Sequence, residues 1–258
     1  MTDGLDMQSA AGLVGRDEVV DRLDRALVEG TVRAVFVHGP GGIGKSAVLR
    51  ELARRAEARQ TRALRVDGRD RDAAAERLQA ALAALSGNGN GHGPGGGVVL
   101  LDSYEHVPAL GAIVRQTLAA PDADGLRFVI AGRRPPEAAW LQDGLDERSH
   151  VQRLGPLTAD QARELVARRG LRDGRAIDRL AAWADGSPLA LVVGADALLA
   201  GQVLDLDRLD ADAMLATTLL DRLVGDELEG RDREVIAVAA IARAVDARLL
   251  AAVLPGVD

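Results

Sequence analysis

An α/β fold built on a doubly wound parallel sheet is the architecture this sequence predicts, and three observations predict it. A β-branched and apolar run, Val35-Phe36-Val37, leads into a glycine-rich turn and then a helix-forming run, Ala47 to Ala58. A second apolar run, Val98-Val99-Leu100-Leu101, ends in the carboxylate of Asp102. Strand-like and helix-like segments alternate as far as residue 155, and strand signals fade from Pro156 onward.

The glycine-rich turn matches GxxxxGK[ST], the phosphate-binding P-loop. It runs Gly39, Pro40, Gly41, Gly42, Ile43, Gly44, Lys45, Ser46, and with Ala47 these are the candidate nucleotide-binding residues. In such a loop the glycines let the backbone curl so that several N–H groups point at one anion, and the following helix adds its positive end. Lys45 then reaches the terminal phosphates, and the Ser46 hydroxyl ligates magnesium. Lys45 is also the only lysine in the chain, the other thirty-one of the 32 basic residues being arginine. Lysine stands at the position that needs a slim, mobile point charge rather than a planar fork.

Taken in order, residues 1–12 are polar and glycine-containing, which predicts a frayed start. A helix follows Leu13-Val14-Gly15-Arg16, with Asp17 as its cap and Val20, Leu23, Leu27 and Val28 as its apolar face up to Gly30. After the P-loop helix, Arg62 to Val66 reads as a second strand and Asp67-Gly68-Arg69 as the turn out of it. Asp72 to Leu85 carries Ala75, Leu78, Leu82 and Leu85 at helical spacing. Ser86 to Gly97 is too glycine-rich to hold one conformation and reads as a flexible loop.

Asp102, at the carboxyl end of a buried parallel strand, is placed to hold magnesium beside Ser46, although an apolar strand ending in Asp also occurs as a simple turn. Leu126 to Gly132 gives a fourth strand, running into Arg133 and Arg134. An arginine there reads either as a sensor of a terminal phosphate or as a solvated surface charge. His150 to Leu154 makes a fifth strand, and one extra strand is expected between the P-loop strand and the acidic strand. Beyond Pro156, Thr158-Ala159-Asp160-Gln161 is a capping box for a helix reaching Gly170. A helix over Arg175 to Ala184 stops at Gly186, and Ser187-Pro188 starts another that reaches Gly201. An acidic link, Asp205 to Asp212, precedes helical runs at Ala213 to Leu223, Asp232 to Ala242 and Asp246 to Leu254.

Composition narrows the function classes. A net charge of -7 and a pI near 5.2 argue against non-specific binding of nucleic acid, and five aromatic residues leave little for base stacking. Without cysteine there are neither disulfides nor thiolate metal sites, and His38, His92, His106 and His150 lack metal-ligand spacing. No apolar run approaches membrane-spanning length, and Met1 to Ala10 lacks the parts of a signal peptide, so a cytoplasmic location without membrane partners is expected. A GTPase is disfavoured, because the guanine-reading NKxD motif needs a second lysine.

Several motifs in fixed order carry a resemblance: Val14-Gly15-Arg16-Asp17, the P-loop, Leu101-Asp102-Ser103-Tyr104-Glu105-His106, Ala131-Gly132-Arg133-Arg134-Pro135-Pro136, and Gly186-Ser187-Pro188-Leu189-Ala190-Leu191. Together they resemble the STAND-class signal-transduction ATPases, the group that includes NB-ARC switches and the ATPase module of large LuxR-type bacterial transcriptional regulators. The resemblance implies ATP and ADP as ligands with Mg2+, slow hydrolysis, and a nucleotide-gated switch that self-associates as a homo-oligomer. It makes Asp102 the Walker B acid, Glu105 the residue positioning the attacking water, and Arg133 a phosphate sensor. Val14, Gly15 and Arg16 would lie beside the base, and Pro188 would link nucleotide to lid. Ser103 follows Asp102 directly where many AAA-type ATPases have Glu, a departure that favours slow turnover.

The implied domains are a flexible start at 1–12, a P-loop NTPase domain at 13–155, a helical lid at 156–204, and at 205–258 the start of a winged-helix-like domain that is incomplete. Effector or DNA-binding domains would then lie outside this chain. A metabolic P-loop kinase and a nucleic-acid-linked AAA-type ATPase are the alternatives.

Overall fold

The computed structural model describes residues 13–86, 97–120, 125–142, 144–201 and 204. The frayed start expected at residues 1–12, most of the glycine-rich stretch before Val98, and the helices and winged-helix start expected after residue 205 lie outside the described residues. The chain divides into two compact units, Gly15–Gly155 and a second formed by the segment from Pro156 together with the residues up to Val14.

The first unit is a five-stranded parallel sheet. Its strands are β1 (Ala34–His38), β2 (Arg62–Asp67), β3 (Gly97–Asp102), β4 (Leu126–Gly132) and β5 (Ser149–Arg153), ordered β2-β3-β4-β1-β5. Every pairing is parallel. The extra strand between the P-loop strand and the acidic strand is β4. Burial follows this order: β3 is buried throughout, whereas the edge strands β2 and β5 are half-open. The helices are α1 (Asp17–Glu29), α2 (Lys45–Ala58), α3 (Arg71–Ser86) and α4 (Leu110–Ala119).

Period-two alternation splits the strand side chains between two layers. Ala34, Phe36, Val99, Leu101, Phe128 and Ile130 share one apolar cluster with Ala74 and Leu78 of α3, Leu110, Val114 and Leu118 of α4, and Trp140. The intervening Val35, Val37, Val98, Leu100 and Val129 are buried too. Helix α2 packs on β3 and β4, and α1 packs on α2. Phe36, one residue before the end of the apolar run into the P-loop, meets Trp140 edge to face at 4.8 Å between centroids.

Two local expectations are corrected. Asp17 does not cap α1: the N-cap is Arg16, and Asp17 is the first helical residue, where its charge faces the positive end of the helix. Val28 does not belong to the buried face, being 59% exposed, because Val20, Leu23 and Leu27 already complete the stripe that α2 covers. Helix α4 was not anticipated, although Leu110, Val114 and Leu118 recur at the spacing of one helical face.

The second unit contains α5 (Ala159–Arg168), α6 (Gly174–Ala184) and α7 (Pro188–Leu199). The capping box forms as read: Thr158 Oγ1 accepts from the Gln161 amide and the Gln161 side chain accepts from the Thr158 amide. Pro188 is the first residue of α7 after the cap Ser187, whose hydroxyl accepts from the Ala190 amide. Leu165, Val166, Leu180, Leu191 and Ala195 form this unit's core.

Candidate functional site

The loop between β1 and α2 takes its shape from backbone freedom. Gly42 and Gly44 adopt φ of 71° and 101°, and Gly44 is the N-cap of α2, so Lys45 and Ser46 open the helix with its unsatisfied amides nearby. A side chain on Gly39 would sit 2.7 Å from the Leu154 carbonyl oxygen, so the loop packs directly against the exit of β5. The Leu154 amide returns a hydrogen bond to the His38 carbonyl at 2.8 Å.

Lys45 is 9% exposed and its ammonium donates to the Gly39 and Pro40 carbonyls at 2.8 and 2.9 Å. Burial pulls its pKa down; the carboxylates of Glu105 and Asp102 act in the opposite sense, and Arg133 adds to the lowering. Lys45 follows the loop after β1, Asp102 ends β3 and Arg133 follows β4 beside Glu105, so all four charged groups stand at the carboxyl end of the sheet, where ligands of open α/β sheets bind. Burial, Arg153 and Lys45 likewise hold the His38 imidazole below its ordinary range.

Asp102 ends β3, is 5% exposed, and accepts the Ser103 amide at 2.9 Å on Oδ1. Ser103 stands at φ 54°, ψ 44°, a left-handed turn that sends the chain into the 3-10 turn Tyr104–His106. That turn returns Glu105 toward the end of β4. Its Oε2 accepts the Arg133 amide at 3.2 Å, and its Oε1 lies 3.2 Å from Arg133 Nε. Arg133 is therefore ion-paired with Glu105 while its side chain stays 37% exposed.

Arg16, 8% exposed, donates from Nη2 to the Ile43 carbonyl at 3.2 Å and to the Gly155 carbonyl at 2.6 Å, and its buried Nε has no partner among the described residues. It ties the P-loop to the chain leaving β5. Gly15 precedes it at φ 70°. Val14 and Pro188 belong to the other compact unit, Val14 within its apolar core and Pro188 at the start of α7. The structure thus gathers Gly39 to Ala47, Lys45, Asp102, Glu105, Arg133 and Arg16 in one unit.

Sequence reading missed the Asp67-Gly68-Arg69 turn as a neighbour of the site. Asp67 is in register with Asp102 on the adjacent strand. A usable signal existed, since both strands end in Asp.

Among the described residues no three His, Cys, Asp or Glu side chains gather to hold a metal. A hydroxyl at Ser46 and a buried carboxylate at Asp102 are nevertheless the hard oxygen donors that suit Mg2+, which is ordinarily held by one or two protein groups, water and phosphate oxygens together. The residues present fit a magnesium ion that arrives with a nucleotide.

A parallel sheet in the order β2-β3-β4-β1-β5, with a GxxxxGK[ST] loop after β1 and an acid ending β3, defines an α/β P-loop nucleoside triphosphatase fold. The chain belongs to the AAA ATPase domain family, whose profile matches residues 12–253.

No curated protein matches the sequence. Solved structures do. Cdc6p from Pyrobaculum aerophilum superposes with a TM-score of 0.53 at 15% identity, over 92% of this chain and 70% of that one. Domain III of the replication initiation protein DnaA from Thermotoga maritima gives 0.51 at 16% identity, over 82% and 93%. PCH-2 of C. elegans gives 0.50 at 14% identity, over 69% and 60%. At these identities the likeness concerns the fold. Among the described residues no helix is long and apolar enough to cross a membrane.

Proposed function

We propose that this chain is a nucleotide-operated switch module: it binds ATP and ADP with Mg2+ at the P-loop, hydrolyses ATP slowly, and passes the difference to the helical unit. The observation that carries this reading is the placement of Lys45, Asp102, Glu105 and Arg133 at the carboxyl end of one parallel sheet, beside the loop. Lys45 and the amides opening α2 are suited to hold the phosphates, and Ser46 with Asp102 to orient the metal. Magnesium, when bound with the nucleotide, supplies neutralisation of the phosphate oxygens. The candidate for orienting the attacking water, Glu105, is engaged by Arg133 through both carboxylate oxygens, and Ser103 stands where many AAA-type ATPases have Glu. Both features favour slow turnover, which suits a switch better than a motor.

In this reading Gly39 to Ala47 and Arg16, with Val14 and Gly15 on the adenine side, hold the nucleotide, and Arg133 senses its terminal phosphate. Pro188 carries the signal into α7, within a lid of residues 156–204. A STAND-class role in a larger, cytoplasmic bacterial regulator, with homo-oligomers formed in the ATP state, is supported by the motif order of the sequence. Such a switch works only if ATP and ADP bind its two forms with different affinity.

The test is calorimetric titration with ATP and ADP in magnesium, followed by hydrogen exchange over residues 156–204. Tight binding, slow phosphate release and exchange that differs between the nucleotides are expected. Identical protection with both would remove the switch and leave a plain ATPase; absence of binding would remove both.

A further inference from the structure

We propose that the turn after β2, residues 67–71, is a positioning bracket for the acidic loop 102–107, in which Gly68 packs on the loop's backbone and Arg69 braces the turn through Asp67, so that Asp102 and Glu105 are placed for hydrolysis. This rests on the reading of those two acids given above. The turn touches the acidic loop along its length. The Gly68 amide donates to the Asp102 carbonyl at 2.8 Å, extending the β2–β3 ladder past its last register pair, Asp67 with Asp102. A Cβ on Gly68 would lie 2.5 Å from the Ser103 carbonyl oxygen, 2.8 Å from Val107 Cγ2 and 3.0 Å from the Asp102 carbonyl oxygen. Two backbones are therefore in direct contact, and nothing larger than hydrogen fits between them. Further along, Arg71 Nη2 lies 3.2 Å from His106 Nδ1.

The backbone of Ser103 explains why a bracket matters. A residue with a side chain held at φ 54° persists only where its surroundings impose that conformation. The Ser103 carbonyl is the group against which Gly68 packs, and the left-handed turn at Ser103 is what brings Glu105 back to the Arg133 amide. Arg69 completes the arrangement. Its guanidinium is anchored on Asp67, with Nη2 to Oδ2 at 2.6 Å and Nε to both carboxylate oxygens at 3.1 Å. There its charge is stabilised chiefly by Asp67, against the cost of burial, and in addition by Asp102 and Glu105. Arg69 thus braces the turn on Asp67, the residue whose backbone is in register with Asp102.

The experiment compares Gly68→Ala, Arg69→Ala and Arg69→Lys with the parent chain, measuring kcat and KM for phosphate release, the Kd for ADP, and Tm. Gly68→Ala is expected to lower kcat by about tenfold or more, as sub-ångström to ångström displacements of catalytic groups do, while the ADP Kd stays within about twofold. Arg69→Ala should lower kcat less, with Arg69→Lys recovering most of the loss because the charge returns. Should Gly68→Ala fail to fold, the Arg69 pair decides. A fall in kcat that merely tracks lost affinity or lost folded protein in every variant overturns the bracket, and so does wild-type kcat in all three. Hydrolysis that depends on Asp102 but ignores residues 68 and 69 removes the bracket alone; a parent chain with no hydrolysis at all removes the functional reading beneath it.

Discussion

At the carboxyl end of the sheet, residues 39–45 take their shape from within, whereas residues 102–107 take theirs from a neighbour. The P-loop is contiguous in sequence, and its curl is written into its own glycines. The acidic loop turns on a serine in a glycine-like conformation and is held by a backbone that arrives from β2, some thirty-five residues earlier in the chain. The contrast teaches where each half of the site is vulnerable. Changes to the P-loop should act on binding and act locally. Changes far from Asp102 in sequence should act on turnover, through the placement of the acids.

The largest effect is expected at the P-loop. Lys45→Ala removes the buried cation proposed to face the phosphates, and the Kd for ATP should rise by about 100-fold or more in calorimetry. If affinity is unchanged, the P-loop half of the comparison collapses. Next, Asp102→Asn should lower phosphate release by on the order of 100-fold while ADP binding without magnesium is little affected, a split that separates the halves cleanly. Glu105→Gln should cost less, roughly tenfold, because Arg133 already restrains the carboxylate in the starting structure. A loss larger than that of Asp102→Asn would make Glu105 the dominant acid and reverse the ranking.

Two smaller predictions probe the elements that carry the site. Thr158→Ala removes the cap of α5 and should destabilise the helical unit by about 1 kcal/mol in urea unfolding, with ADP affinity unchanged. On the outer face of α2, the hydrogen bond from Arg54 leads, against the opposing cost of burial and with help from Arg55, in holding the Glu51 carboxyl down to about 2 from an ordinary 4.5. A depressed acid stabilises the fold fully above its unfolded value. Its contribution is therefore present above pH 4.5 and disappears as the pH falls toward 2. The pair is solvent-screened, so Glu51→Gln should cost only about 0.5 kcal/mol near neutrality, and parent and variant should converge in acid titrations.

The parts legible in the sequence were those whose cause lies in a few adjacent residues. Val35 to Ser46 spelled strand, loop and helix; Val98 to Asp102 spelled a buried strand ending in an acid; Thr158 to Gln161 and Ser187-Pro188 spelled helix starts, and the structure forms each of them. Asp17 shows the limit of local rules, since cap and first-turn positions both favour an acid and differ by one residue. The pairing of Glu105 with Arg133, the Arg16 strap between Ile43 and Gly155, and the packing of Gly68 on Ser103 were not readable, because each joins residues separated by many positions. Periodicity places a residue on a face but does not say what stands opposite.

Lys45 has a chemical consequence beyond phosphate binding. As the chain's one side-chain amine, it is the one side chain on which an acylating reagent leaves an amide or an aldehyde an imine. Burial lowers its pKa and so enlarges the fraction present as free, nucleophilic amine, while the Gly39 and Pro40 carbonyls and the enclosing loop limit access to it. Labelling of the intact protein would then yield one lysine adduct beside that of the α-amine, and the rate at which the lysine adduct appears would report how often the loop opens.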